Sequence, residues 1–223
     1  MVVEEHAEPS PSGPPTPEDH SHDIYTVANI ITMVRLLLVP FFFMVFLTGE
    51  NDVVAFVLFA LAASTDWLDG QIARRTGTVT EIGKAIDPIV DRALIASGVL
   101  GLYLEDRVPL WILLLLVCRD LYLLGGASYL ARHRAGRIDV VYIGKATTML
   151  LLAGFSGLIL NWPLVPGLGV IESPALPGWG SEPVAIWMWF VYAGVVTSVI
   201  TAVIYTQLGR ARMRAVRAKA VAQ

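Results

Sequence analysis

Six apolar segments, each near the roughly 20 residues a helix needs to cross a bilayer core, leave this chain few ways to fold. They lie at about 29–48, 53–75, 84–104, 108–131, 140–161 and 184–208. Inside hydrocarbon every backbone N–H and C=O must be satisfied within the chain, so each segment is expected to be a helix. Of the 223 residues 55% are hydrophobic and 16% charged, a balance typical of a polytopic membrane protein and not of a soluble domain. The expected fold class is an all-α polytopic membrane protein with six transmembrane helices.

Lysine and arginine set the orientation, because they favour the cytoplasmic side. Arg74 and Arg75 follow the second segment, Arg132, Arg134 and Arg137 the fourth, and Arg210, Arg212, Arg214, Arg217 and Lys219 the sixth. The connections on the other side contain only Arg107. Both termini are therefore expected to be cytoplasmic, in a protein of the cell membrane. Residues 1–24 are rich in proline, serine and acidic side chains and read as a disordered tail, with His6, His20 and His22 simply solvated. That stretch lacks the positive and apolar regions of a signal peptide. Residues 25–210 form one membrane domain, and residues 211–223 a basic cytoplasmic tail suited to anionic lipid and not to nucleic acid. Trp162, Trp179, Trp187 and Trp189 read as interfacial anchors around a long external loop. The single cysteine, Cys118, allows no disulfide framework and reads as core packing.

Against this apolar background the stretch "DWLDGQIARRTGTVTEIGKAIDPIVD" carries four aspartates. Asp66 and Asp69 fall late in the second segment, Asp87 and Asp91 early in the third. Residues three or four apart share a helix face, so the aspartates form two pairs that an antiparallel hairpin brings together near the cytoplasmic interface. An unpaired ionised residue at a helix centre costs about 2.5–3.5 kcal/mol even on a mild insertion scale. The cluster therefore calls for cations. An all-oxygen donor set suits Mg²⁺ or Mn²⁺, and four carboxylates can hold two such ions. The competing account is a salt-bridge network with Arg74, Arg75, Lys84 and Arg92, which does not call for the small residues Gly70, Ala73 and Gly83. Those let a ligand or another backbone approach closely.

This stretch is similar to the CDP-alcohol phosphatidyltransferase signature at eight fixed positions: Asp66, Asp69, Gly70, Ala73, Arg74, Gly83, Asp87 and Asp91. The resemblance extends over about residues 24–210, including "NIITMVR" at the start of the first segment. It implies a membrane enzyme that moves a phosphatidyl group from CDP-diacylglycerol to an alcohol and releases CMP. It further implies that Asp66, Asp69, Asp87 and Asp91 hold two divalent cations, that Asp91 is the base, and that Gly70, Ala73, Arg74 and Gly83 shape the CDP site. A homodimer is in keeping with the family.

Three further intramembrane cations, Arg35, Arg119 and Lys145, are candidates for the acceptor site, since a charge at such depth is functional by default. Arg119 has an alternative partner in Asp120, Arg35 could merely snorkel, and Asn29 and Thr32 are weaker candidates. Family members that use glycerol 3-phosphate typically carry a second arginine eight residues after the first in the fourth helix, where this chain has Ala127. "CRDLYLLGGASYLARHR" with "GKATTMLLL" looks closer to cardiolipin synthases of this family, whose acceptor is phosphatidylglycerol. A lipid acceptor needs an apolar second groove, for which Gly125, Gly126, Ala127 and Ser128 leave room. Two other classes compete: a cation transporter with the carboxylates as ion path, for which Gly70, Ala73 and Arg74 have no obvious use, and an inactive family member, disfavoured because all four aspartates and Arg74 are present.

Overall fold

The computed structural model describes residues 27–76, 81–133 and 142–221. Among them the chain forms six helices: α1 (Val27–Thr48), α2 (Asp52–Thr76), α3 (Glu81–Leu104), α4 (Leu110–Arg132), α5 (Tyr142–Leu160) and α6 (Trp187–Val221). A two-residue antiparallel ladder, β1 (Leu164–Val165) with β2 (Val184–Ala185), closes the connection before α6 in the register Leu164 to Ala185 and Val165 to Val184. Leu110–Arg132, Tyr142–Leu160 and the stretch Trp187–Val216 are long and apolar enough to cross a membrane. Met33–Thr48, Asp52–Thr65 and Arg92–Leu104 are shorter apolar stretches of α1, α2 and α3.

Local chemistry fixes the helix ends. Gly49 adopts a φ of 66° after the last turn of α1 and donates its N–H to the Phe46 carbonyl at 3.2 Å, an ending that a side chain would resist. Two residues later the Asn51 side chain accepts from the Val53 and Val54 N–H groups at 3.0 and 3.2 Å and starts α2. The sixth helix does not stop at the membrane edge expected near residue 208. It continues through the basic stretch to Val221, because arginine, alanine and lysine are strong helix formers and no glycine or proline follows Gly209.

The core is built by aromatic rings seated on bare backbone. Phe42 of α1 lies 5.7 Å from Phe46 and 5.0 Å from Phe59 of α2, measured between ring centroids. On the other side of the bundle α5 packs along α6, where Trp187 lies so close to Gly157 that a Cβ there would fall 2.0 Å from the indole. In contrast to its expected core position, Cys118 is exposed. It lies two residues past buried Leu116, about 200° around the helix, on the face α4 turns away from its neighbours.

Arg107, the sole basic residue in the connections opposite the motif, ties three helices together at that end. Its Nη2 donates to both carboxylate oxygens of Asp52 at 2.9 Å, and its Nη1 to the Leu158 and Ile159 carbonyls at 3.0 and 2.6 Å. The guanidinium also sits 5.1 Å from the Phe46 ring centroid. The long connection is ordered by similar means: Trp111 Nε1 donates to the Ala175 carbonyl at 2.7 Å, Trp187 Nε1 to the Trp162 carbonyl at 2.8 Å, and Tyr192 to the Pro177 carbonyl at 2.9 Å. The Trp179 ring lies 6.1 Å from that of Trp189, the two tilted by 53°. Trp179, Trp187 and Trp189 thus hold the loop to the helices, in addition to any interfacial role, whereas Trp162 contributes its carbonyl and its ring is exposed.

Replacing Arg107 by alanine removes a charged pair and the cap on the α5 carbonyls, and is expected to cost about 2–4 kcal/mol in a detergent unfolding titration. Gly157→Leu, which drives a side chain into Trp187, is expected to cost at least about 1–3 kcal/mol by the same measurement. In the loop, the Ser181 hydroxyl and N–H donate to Glu172 Oε1 at 2.7 and 2.9 Å and hold its carboxyl below the usual glutamate range. A lowered folded pKa means that the clasp is fully present above the unfolded value and is lost as pH falls through the folded one. Amide exchange at Ser181 should show a protection factor at neutral pH that falls in acid and disappears in Glu172→Ala.

Candidate active site

The eight motif residues lie on helices: Asp66, Asp69, Gly70, Ala73 and Arg74 on α2, and Gly83, Asp87 and Asp91 on α3. Their side chains lie outside the described residues, but the backbone register sets their heights. Phe59 of α2 meets α3 at Gly98, where a Cβ would fall 2.7 Å from the ring. From that contact α2 runs seventeen residues to Thr76, and α3 takes seventeen from Glu81 to return to it. A parallel pair would need about 50 Å between those two ends, whereas the five intervening peptide steps span at most about 18 Å. The helices are antiparallel.

Heights then follow by counting at about 1.5 Å per residue. Asp66 is seven residues beyond Phe59 and Asp91 seven before Gly98, so both stand about 10 Å from the contact on the same side. Asp69 and Asp87 stand about one turn further. The count also places Arg35. Phe42 packs on Phe59, and Arg35 is seven residues before Phe42 on the antiparallel α1, which puts it level with Asp66. Arg35 is fully buried, so it does not snorkel to the interface.

At this level a cavity of about 250 Å³ opens between α2, α3, α4, α5 and α6. Ala63, one turn before Asp66, and Arg92, next to Asp91, are on its wall. Leu94, Ile95, Leu116, Leu123, Leu151 and Leu152 make it largely apolar, and Gly144, Thr147, Thr148, Thr201 and Tyr205 add hydroxyls and backbone from α5 and α6. Among the described residues, the charged groups on the wall are Arg92, Arg119 and Asp120. Asp120 Oδ1 accepts from Arg119 at 2.7 Å and pairs with Arg92 at 2.5 Å. Arg119 Nε is buried without a hydrogen-bond partner among the described residues, an arrangement that leaves a donor for a ligand. Buried Thr147 and Thr201 face each other at 3.3 Å between their hydroxyl oxygens.

Of the three cations singled out in the sequence, only Arg119 reaches this cavity. Lys145 is exposed near the start of α5 with its Nζ 5.7 Å from the Tyr142 ring centroid, and Arg35 is buried on α1, none of whose described residues lines the cavity. Asn29 and Thr32 lie on α1 with side chains outside the described residues. Arg92, Thr147, Thr201 and Tyr205 were not singled out for the acceptor site. The spacing of Thr201 and Tyr205, one turn apart in an apolar helix, carried the signal. Among the described residues no group of three or more His, Cys, Asp or Glu side chains could hold a metal.

Apolar helices around a largely apolar cavity with charged groups on its wall suit an enzyme that works on amphiphilic substrates within a membrane. Residues 25–200 match the family model described as CDP-alcohol phosphatidyltransferase, and the chain belongs to that family of transferases. It is 34% identical over 167 residues to "Cardiolipin synthase (CMP-forming)" of Streptomyces coelicolor, covering 71% of this chain and 77% of the relative. It is 35% identical over 162 residues to "Probable phosphatidylglycerophosphate synthase" of Mycobacterium tuberculosis, covering 69% and 76%. With "CDP-diacylglycerol--glycerol-3-phosphate 3-phosphatidyltransferase" of Bacillus subtilis it shares 28% identity over 155 residues, 62% of this chain and 78% of the relative.

The Phe59 contact that sets these heights is testable. Gly98→Leu is expected to lower stability by about 1–3 kcal/mol, whereas Gly125→Ala, where a Cβ meets nothing within 4 Å, should leave the unfolding midpoint in detergent unchanged or raised.

Proposed function

We propose that the protein transfers a phosphatidyl group from CDP-diacylglycerol to phosphatidylglycerol, releasing CMP and forming cardiolipin. In this reading all six helices span the cell membrane, both termini and the active site face the cytoplasm, residues 25–210 are the catalytic domain between an acidic tail and a basic one, and two copies associate through small-residue faces. The observation that carries it is the cavity beside the motif. It offers an apolar wall for a lipid acceptor and guanidinium donors for its phosphate, at the height of Asp66 and Asp91. The 35% identity with a relative named for phosphatidylglycerophosphate synthesis favours a second reading, in which the acceptor is glycerol 3-phosphate.

Four carboxylates on two facing helix ends are an all-oxygen donor set that fits Mg²⁺ or Mn²⁺. Asp66, Asp69, Asp87 and Asp91 would hold two such ions, which when bound offset the charge of the diphosphate and polarise the phosphorus under attack. Gly70, Ala73 and Gly83 leave space for the cytidine nucleotide, and Arg74 pairs with its phosphates. Asp91 takes the proton from the acceptor hydroxyl as the new O–P bond forms and the bond from phosphorus to the CMP oxygen breaks. Arg119 donates to the acceptor phosphate. Arg35, a fully buried guanidinium, needs a counter-charge. The motif carboxylates are the acidic groups that α2 and α3 supply at its height. Lys145 serves the acceptor at the outer edge of the site, where it meets the headgroup before the cavity does.

Asp91→Asn should lower transfer by about a thousandfold while the unfolding midpoint stays near wild type. Near-full activity of that variant would remove Asp91 from the role of base. Cation uptake into vesicles without any lipid product would favour a transporter.

A further inference from the structure

Two threonines on the cavity wall, Thr147 of α5 and Thr201 of α6, are each only 1% exposed and stand with their hydroxyl oxygens 3.3 Å apart. A threonine hydroxyl has one proton to donate and two lone pairs that accept. Thr147 directs its proton to the Ile143 carbonyl at 2.9 Å, and Thr201 to the Thr197 carbonyl at 2.7 Å, the back-bonding open to threonine inside a helix. With both protons committed to these shorter contacts, the two oxygens face each other lone pair to lone pair. Thr148, also on the wall, likewise donates to the Gly144 carbonyl at 3.2 Å. Among the described residues no other group donates to either oxygen of the pair, so this part of the wall offers acceptors that lack a donor. Gly144 keeps it accessible, because a Cβ there would lie 3.6 Å from both Thr201 Cγ2 and the Tyr205 hydroxyl and fill the space beside them.

The wall contributed by α4 has the opposite polarity. Arg119 keeps a buried Nε donor with no partner among the described residues. A ligand that satisfies both parts must accept at one end and donate at the other, as a polyol phosphate does through its phosphate oxygens and its hydroxyl protons. We infer that Thr147 and Thr201 form a subsite that accepts a hydrogen bond from a non-reacting hydroxyl of the acceptor, while Arg119 holds its phosphate. This rests on the reading of the cavity as the acceptor site, in which the reacting hydroxyl meets Asp91. The hydroxyl left for the threonines is the central one of the glycerol head, which phosphatidylglycerol and glycerol 3-phosphate share. The pair is then specificity-determining for a vicinal diol, since a site built around a hydroxyl disfavours the analogue that lacks it.

Binding without turnover tests the inference. Phosphatidylglycerol and phosphatidylpropanediol differ only in the central hydroxyl, and so do glycerol 3-phosphate and hydroxypropyl phosphate with a terminal hydroxyl. Each is titrated by calorimetry, in neutral detergent with Mg²⁺ and no CDP-diacylglycerol, into purified wild type, Thr147→Val, Thr201→Val and the double variant. Within the pair that binds, which also tells the lipid acceptor from the soluble one, wild type should favour the diol about tenfold. Each valine should weaken diol binding and leave its analogue unchanged, and the double variant should bind the two alike. Equal affinities in wild type overturn the inference. So does a packing role, in which the valines lower the unfolding midpoint and leave the preference for the diol as in wild type. Should one valine prevent folding, the other decides alone, because an unchanged preference there is equally fatal. Failure of the functional reading looks different: wild type then binds neither pair, whereas binding without preference removes only the subsite.

Discussion

The seat of Phe59 against the bare backbone of Gly98 is the contact on which the geometry of this protein depends. It lets the Phe59 ring of α2 rest directly on the backbone of α3, and it fixes their register. The same ring meets Phe42 and so brings α1 into the same count. Three helices are thereby aligned so that Arg35, Asp66 and Asp91 stand at one height, about 10 Å from the aromatic layer. That level is set by the apolar packing of Phe42, Phe59 and Gly98.

At the other end of the bundle the same problem, a charge in an apolar setting, has a structural answer. Arg107 meets a carboxylate, two helix-end carbonyls and an aromatic face, so its donors are consumed. Around the cavity they are not: Arg119 keeps an unpartnered Nε and shares its counter-ion with Arg92. The contrast separates a cation whose Nη donors are met within the fold from one that keeps an unpartnered Nε in the cavity wall. It also accounts for the opposite loop, where tryptophan N–H groups close onto carbonyls and leave the ladder of β1 and β2 as a cap.

Much of this was legible in the chain itself. The helix count and most boundaries follow from apolar length, since lipid leaves a backbone no other solution, and the Asp66 to Asp91 stretch pointed to the family before any packing was known. Less visible was anything that depends on which neighbour a side chain meets. Arg107 looked like an exception to a charge rule and is a clamp. Cys118 looked like core and faces outward, because hydrophobic periodicity is weak in a helix that is apolar on every side. Lys145 and Arg119 looked equivalent by depth, yet one rests on a tyrosine at the surface and the other enters the cavity. Arg92 was legible only as a possible partner of the motif aspartates, and it shares Asp120 with Arg119, a pairing across two helices that no local pattern encodes.

The central claim is that the motif and the adjoining cavity act as one site, with a nucleotide-activated lipid on one side and a lipid alcohol on the other. The most direct measurement supplies purified protein in mixed micelles with CDP-diacylglycerol and Mg²⁺, adds phosphatidylglycerol or glycerol 3-phosphate separately, and quantifies CMP and lipid products together. The account predicts cardiolipin and CMP in equal amounts with phosphatidylglycerol, and little product with glycerol 3-phosphate. Phosphatidylglycerophosphate as the main product, or no CMP with either acceptor, would contradict it.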